Sequence, residues 1–141
     1  MINEVLNLTG RVTVLLNDNI VREIDNLVVT TGKGYVASRM MDATVAVMSH
    51  MAVGTSSTAA AAADSALGAE AGRVALTSTS VTDASVIYSA SFPAGTGTGA
   101  LTEAAILNAS SGGTMLCRTV FSVVNKQAAD AMTIQWTVQA S

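Results

Sequence analysis

Met132-Thr133-Ile134-Gln135-Trp136-Thr137-Val138-Gln139-Ala140 decides the fold. Met132, Ile134, Trp136, Val138 and Ala140 fall on one side of an extended chain. Thr133, Gln135, Thr137 and Gln139 fall on the other. Successive side chains of a strand point to opposite faces, so this pattern is a strand with one face in a core and one in solvent. The stretch ending at Phe92 repeats it. Val86, Tyr88, Ala90 and Phe92 alternate with Ser85, Ser89 and Ser91, and Ile87 is the one break in the polar face.

Other segments read the same way. Residues 115–124 are apolar on both faces, which predicts a strand covered on both sides. Arg11-Val12-Thr13-Val14-Leu15-Leu16 runs into Asn17-Asp18-Asn19, residues that tolerate the left-handed turn conformation, and a second strand at 20–24 follows at hairpin distance. Strands are also predicted at 45–53, 74–81 and 101–108. The last contains Glu103-Ala104-Ala105, which leans towards helix. Gly-rich turns lie at Ala94-Gly95-Thr96-Gly97-Thr98-Gly99, read as a flexible hairpin loop, and at Ser110-Ser111-Gly112-Gly113. Short strands with turn signals at this spacing predict a β-sandwich or barrel.

One helix is predicted over 33–41, capped by Thr31, with Val36, Ala37, Met40 and Met41 on one stripe. The alanine-rich segment 60–71 reads equally as a short helix or as an ordered loop. No repeat or linker divides the chain, so 1–141 is read as a single domain. Its first nine residues are read as an N-terminal arm or edge strand. There Ile2, Val5, Leu6 and Leu8 are the residues expected to contact a neighbour.

The 141 residues are 50% hydrophobic but only 12% charged and 4% aromatic. Ordinary soluble domains are about 25% charged. Ala, Val, Thr and Ser make up 72 positions (24, 17, 17 and 14). High hydrophobicity with a net charge of −3 argues against disorder. Seven Lys and Arg cannot build a basic stripe for phosphate backbones, so no nucleic-acid partner is expected. The longest uncharged stretch, 43–63, is studded with Ser, Thr, His and Gly, so no membrane span is expected either. The N-terminus lacks the pattern of a signal peptide, and one cysteine forbids an internal disulfide. A neutral hydroxyl-rich face costs less to desolvate than a charged one. The missing charges therefore read as surfaces made to be covered by other chains.

Few residues carry the pattern of chemistry. His50, the only histidine, has no convergent ligands for a metal and reads as a hydrogen-bonded or interface residue. Cys117 would need a base such as His50 and an oxyanion site to act as a nucleophile. On its predicted strand it reads instead as a small buried hydrophobe. Gly95 to Gly99 and Gly32-Lys33-Gly34 both miss the phosphate-binding spacings. Asp64, Glu70 and Arg73 lie close enough for a local ion pair. A glycosidase would need two carboxylates facing each other across a cleft, and a sugar-binding surface would need aromatic platforms that five aromatic residues hardly supply. No catalytic residue, cofactor or metal site is assigned.

Several short stretches together carry a resemblance. They are Asn26-Leu27-Val28-Val29-Thr30-Thr31-Gly32-Lys33, Met51-Ala52-Val53-Gly54-Thr55-Ser56-Ser57-Thr58-Ala59, Leu67-Gly68-Ala69-Glu70 with Arg73, Leu101-Thr102-Glu103-Ala104-Ala105-Ile106-Leu107-Asn108, Gly112-Gly113-Thr114-Met115-Leu116-Cys117-Arg118 and Ile134-Gln135-Trp136-Thr137-Val138. In this order they resemble small structural proteins of tailed bacteriophages: capsid cement (decoration) proteins and tail-collar or fibre domains. The resemblance spans 26–138. The sequence departs from many fibre relatives where Ala105 stands in place of a Gly after the Glu-Ala pair. In size and composition the chain is similar to a cement protein of a short-tailed phage. That similarity implies an antiparallel β-sandwich of jelly-roll type and no enzyme activity. It also implies a homodimer or other homo-oligomer that clamps neighbouring major capsid subunits of an HK97-type shell. Such a protein is made in the host cytoplasm and ends on the capsid exterior. A tail-collar or fibre protein and a carbohydrate or host-surface module are the other readings.

Overall fold

The computed structural model describes residues 4–41 and 45–141. Its first hairpin follows from the turn residues. Strand β1 (Leu8–Leu16) turns through Asn17 and Asp18, both at positive φ (49° and 68°), into β2 (Asn19–Asp25). Two left-handed residues give the turn whose twist matches that of the flanking strands. Asn17 also accepts a bond from the Ala131 N–H at 3.0 Å, which anchors the turn to the loop before the last strand.

The chain then continues through β3 (Leu27–Val28), helix α1 (Thr30–Arg39), β4 (His50–Gly54), β5 (Glu70–Ala75), β6 (Ser78–Thr82), β7 (Ser85–Phe92), β8 (Gly99–Leu107), β9 (Met115–Lys126) and β10 (Met132–Ala140). Among the described residues the strands form two five-stranded antiparallel sheets. The first has the order β2-β1-β10-β7-β6 and the second β3-β9-β8-β4-β5. Val12, Val14, Phe92, Ile134 and Trp136 of the first sheet share one buried core with Met51, Val53, Leu101, Ile106 and Phe121 of the second. The fold is thus mainly β, two packed sheets with one short helix.

The two alternating stretches behave as their pattern dictates. Met132, Ile134, Trp136 and Val138 are buried, as are Tyr88, Ala90 and Phe92. In β9, residues 115–119 are all buried, on both faces of the sheet.

Several expectations need correction. The strand expected over 45–53 begins only at His50. The single strand expected over 74–81 is two strands in different sheets. Leu76 N–H bonds Ser49 C=O beside β4, whereas Thr77 N–H bonds Ser89 C=O in β7. The chain changes sheet between adjacent residues without a Gly or Pro to mark it. The loop 94–99 is no hairpin either, since it links β7 to β8 across the sandwich.

The helix starts three residues earlier than expected, at Thr30, and ends at Arg39. Its N-cap is Val29, with no side-chain cap bond. Thr31 lies inside the first turn, and its hydroxyl donates to the Met115 carbonyl at 3.0 Å. Met40 and Met41 lie beyond the helix and are 84% and 79% exposed, so they form no buried stripe. Gly32 meets the sheet instead, because a Cβ there would collide with the Leu116 carbonyl.

The alanine-rich segment is an ordered loop laid over the outer face of the second sheet. Two charged side chains hold it. The Glu103 carboxylate, fully buried, accepts N–H bonds from Ser56 (3.0 Å), Gly68 (2.9 Å) and Ala69 (2.8 Å). It also takes Nε and Nη2 of Arg118 at 3.1 and 3.0 Å. Arg118 in turn binds Asp64 (3.0 Å) and the Thr58 carbonyl (2.9 Å). Burial alone would raise the Glu103 carboxyl. The bonds from Ala69, Gly68, Ser56 and Arg118 outweigh it and hold the group below its ordinary value. Asp64 therefore pairs with Arg118, while Glu70 pairs with Arg73 at 2.7 Å. Arg73 also donates to the Ala109 and Gly112 carbonyls, both at 2.9 Å, and so fixes the loop before β9.

Candidate interface around the arm and the helix

Helix α1 covers one end of the sandwich. Gly32 is buried against β9, and Tyr35 and Val36 pack partly on the core. Thr30 N–H bonds the Ala62 carbonyl at 2.8 Å, which ties the helix start to the long loop. Lys33, Ala37 and Met40 lie on the side towards the N-terminal segment. There they line a groove of about 300 Å³ together with Leu6, Leu8 and Val36.

The N-terminal segment forms the other wall. Asn7 extends the β1–β10 ladder by exchanging backbone bonds with Ser141, at 2.6 and 2.9 Å. Before Asn7 the chain leaves the sheet. Val5 is 73% exposed and Leu6 70%. At the helix C-terminus Arg39 donates to the Val45 carbonyl at 3.0 Å, which draws a further exposed valine to this end of the molecule. Val5, Leu6, Met40 and Met41 are thus large apolar side chains exposed to solvent.

The predicted contact residues divide three ways. Val5 and Leu6 are in the free arm. Leu8 is not: it is the first residue of β1, pairs with Ala140 and packs partly on the core. The arm is therefore shorter than nine residues, because Leu8 and Thr9 already belong to the sheet. Ile2 lies outside the described residues. Met40 and Met41 were missed as surface residues because their spacing from Val36 and Ala37 fits a buried helical stripe. A helix ending at Arg39 removes them from it.

A second groove of about 300 Å³ runs beneath the helix, between Tyr35 and Val36 on one side and Val86, Tyr88 and Val138 on the other. Burial, with Tyr35 and Cys117 nearby, pushes the Tyr88 hydroxyl up to about 12, so it stays protonated and neutral. This groove is a gap in the core's edge lined by side chains that carry no ionised group apart from Arg39 at its rim.

No family model, no curated protein and no solved structure matches this chain.

The residues considered for chemistry do not converge. His50 Nδ1 lies 2.8 Å from the Ser49 hydroxyl at the start of β4. Cys117 points into the core, two strands away across β8, and burial pushes its thiol up. Neither has the other as a partner. Among the described residues no group of three or more His, Cys, Asp or Glu side chains could hold a metal ion. No described helix is long and apolar enough to cross a membrane. The buried charged residues Glu103, Arg118 and Lys126 were not foreseen as such. Glu103 and Arg118 lie in strands of mainly apolar residues, and that isolation is the one signal sequence offered; Lys126, flanked by Asn125 and Gln127, has none. Their partners are loop carbonyls, N–H groups and carboxylates that hold the fold. For Lys126 the partner is the Pro93 carbonyl at 3.0 Å.

Proposed function

We propose that this chain is a structural virion protein of a tailed phage, which binds the outer surface of an HK97-type capsid and cements neighbouring major capsid subunits. One observation carries the reading: the arm and the helix end leave Val5, Leu6, Met40 and Met41 exposed on a domain whose surface is short of charge. Leu6 and Met40 line one groove, and apolar side chains gathered in one exposed patch mark a contact surface. Weak contacts repeated over a shell add up to firm attachment. In this reading the protein self-associates, has no catalytic or nucleic-acid-binding role, and resides on the capsid exterior.

The proposal includes a jelly-roll topology. Its support is the nested pairing of β1 with β10, β3 with β9 and β4 with β8, as in a long hairpin rolled across two sheets. Image reconstruction of purified particles tests the function. The expected result is density for this fold over shell subunits, in copy numbers near that of the shell protein. A few copies confined to the tail would replace the cement reading with the collar or fibre one. A glycan array with strong hits would favour a host-surface module.

A further inference from the structure

Each sheet edge presents unpaired N–H and C=O groups, and natural proteins guard such edges with charges, bulges or very short strands. Among the described residues, three of the four edges are guarded. Edge strand β2 carries Arg22, Glu23 and Asp25, and its pairing with β1 shifts register at Val14/Leu15. Edge strand β3 is two residues long. Edge strand β5 carries the Glu70–Arg73 ion pair and a register shift at Val53/Gly54.

The fourth edge, β6, has none of these devices. Its sequence, Ser78-Thr79-Ser80-Val81-Thr82, has no charge, Pro or Gly, and it pairs with β7 in unbroken register. All five residues are exposed, Val81 at 71%. Val81 stands opposite Val86, and Thr79 opposite Tyr88, both of which pack on the core. Thr79 and Val81 therefore lie on the core-facing side of the sheet. The second sheet does not cover them, since its last strand, β5, lies against β7. The core-facing side of β6 overhangs the sandwich.

We infer that β6 is a self-association edge, at which a second copy of this chain adds its own β6 in antiparallel register across a twofold axis near Ser80. The segment is self-complementary. Ser80 meets Ser80, Thr79 meets Val81, and Ser78 meets Thr82, so no like charges face each other. Such pairing satisfies both rows of backbone groups and covers the overhanging Val81. It is an isologous contact, which closes at two copies. Five residues bury less than the roughly 1,200–2,000 Å² of a standard stable interface, so the dimer is weak in dilute solution. The inference is independent of the capsid reading and is tested on the isolated protein.

Cysteine crosslinking reads the register. Residues opposite each other in an antiparallel pair have Cα atoms about 4.5–5.5 Å apart, inside the usual disulfide range of about 4.4–6.8 Å. Under a mild oxidant at high protein concentration, Ser80→Cys is expected to form covalent dimers far faster than Ser78→Cys, whose partner across the axis is Thr82. Adding Val81→Lys to Ser80→Cys should suppress the crosslink while leaving the melting temperature unchanged, because Val81 is exposed. Equal rates for the two cysteines would overturn the inference. So would a crosslink indifferent to Val81→Lys, or one that forms only on particles.

Discussion

Glu103 and Arg118 form an ion pair at 3.0 Å, both almost wholly out of solvent, on the outer face of a sheet. Neither charge can be lost alone without leaving the other buried. Breaking such a pair from one side costs about 3–5 kcal/mol. Glu103→Ala also strands the N–H groups of Ser56, Gly68 and Ala69. Urea denaturation should show a loss of that size, with the loop 55–69 becoming the first site of proteolytic cleavage. Loss below about 1 kcal/mol would mean that the loop relaxes without the carboxylate.

The same carboxylate sets an acid limb. Its folded value lies below the ordinary 4.5, so the ionised form is favoured in the native state. A group depressed on folding contributes stability above its unfolded value and loses it as pH falls through the folded one. The denaturation midpoint should therefore hold steady above about pH 5 and fall below pH 4.5. Glu103→Gln should start lower and decline less steeply over the same interval.

Two glycines in one helix should respond with opposite signs. Gly32→Ala drives a methyl into the Leu116 carbonyl and should cost about 1–3 kcal/mol by forcing the helix off the sheet. Gly34 has open space around it, so Gly34→Ala should gain up to about 1 kcal/mol from helix propensity. Thermal melts of the two variants decide the point.

Removing residues 1–6 should leave the melting temperature nearly unchanged, since Val5 and Leu6 are exposed and the ladder begins at Asn7. On the proposed function it should abolish particle binding. Removal through Thr9 is a different experiment. It deletes the Leu8–Ala140 and Thr9–Gln139 pairs and should lower stability as well. Retention of full particle occupancy by the shorter deletion would displace the arm from the contact.

Cys117 is fully buried and its thiol is pushed up. The thiolate is the reactive form, so a thiol reagent at neutral pH should label the native protein only as fast as it opens, and the denatured protein at once. Fast native labelling would place Cys117 nearer solvent than the core.

Legibility in the sequence followed how local the determining physics is. The strands ending at Phe92 and Ala140 could be read because one face of each meets the core and the other meets water, which writes period 2 directly into the residues. The division of 74–81 could not. Leu76 and Thr77 belong to different sheets because of partners at Ser49 and Ser89, and a uniform run of Ser, Thr and Val carries no trace of that. Glu103 lent its segment a helical cast, because the groups that need it lie 34 to 47 residues earlier. The exposure of Val5 and Leu6 agrees with their place before any core pattern. That of Met40 and Met41 could not be read, since a helical stripe and an exposed helix end share the same spacing.

Strand β10 is the middle strand of the first sheet, flanked by β1 and β7. During synthesis the sheet therefore has no centre until residue 140 has been made. Strands β1 and β7 do not pair with each other, so both wait for a segment made after them. Pairing between residues this far apart is slow, and exposed strands invite association while they wait. A surface of serine and threonine rather than alternating charge leaves little repulsion to prevent it, so the yield of this protein in a cell should depend more on how fast its last strand is inserted than on how stable the finished sandwich is.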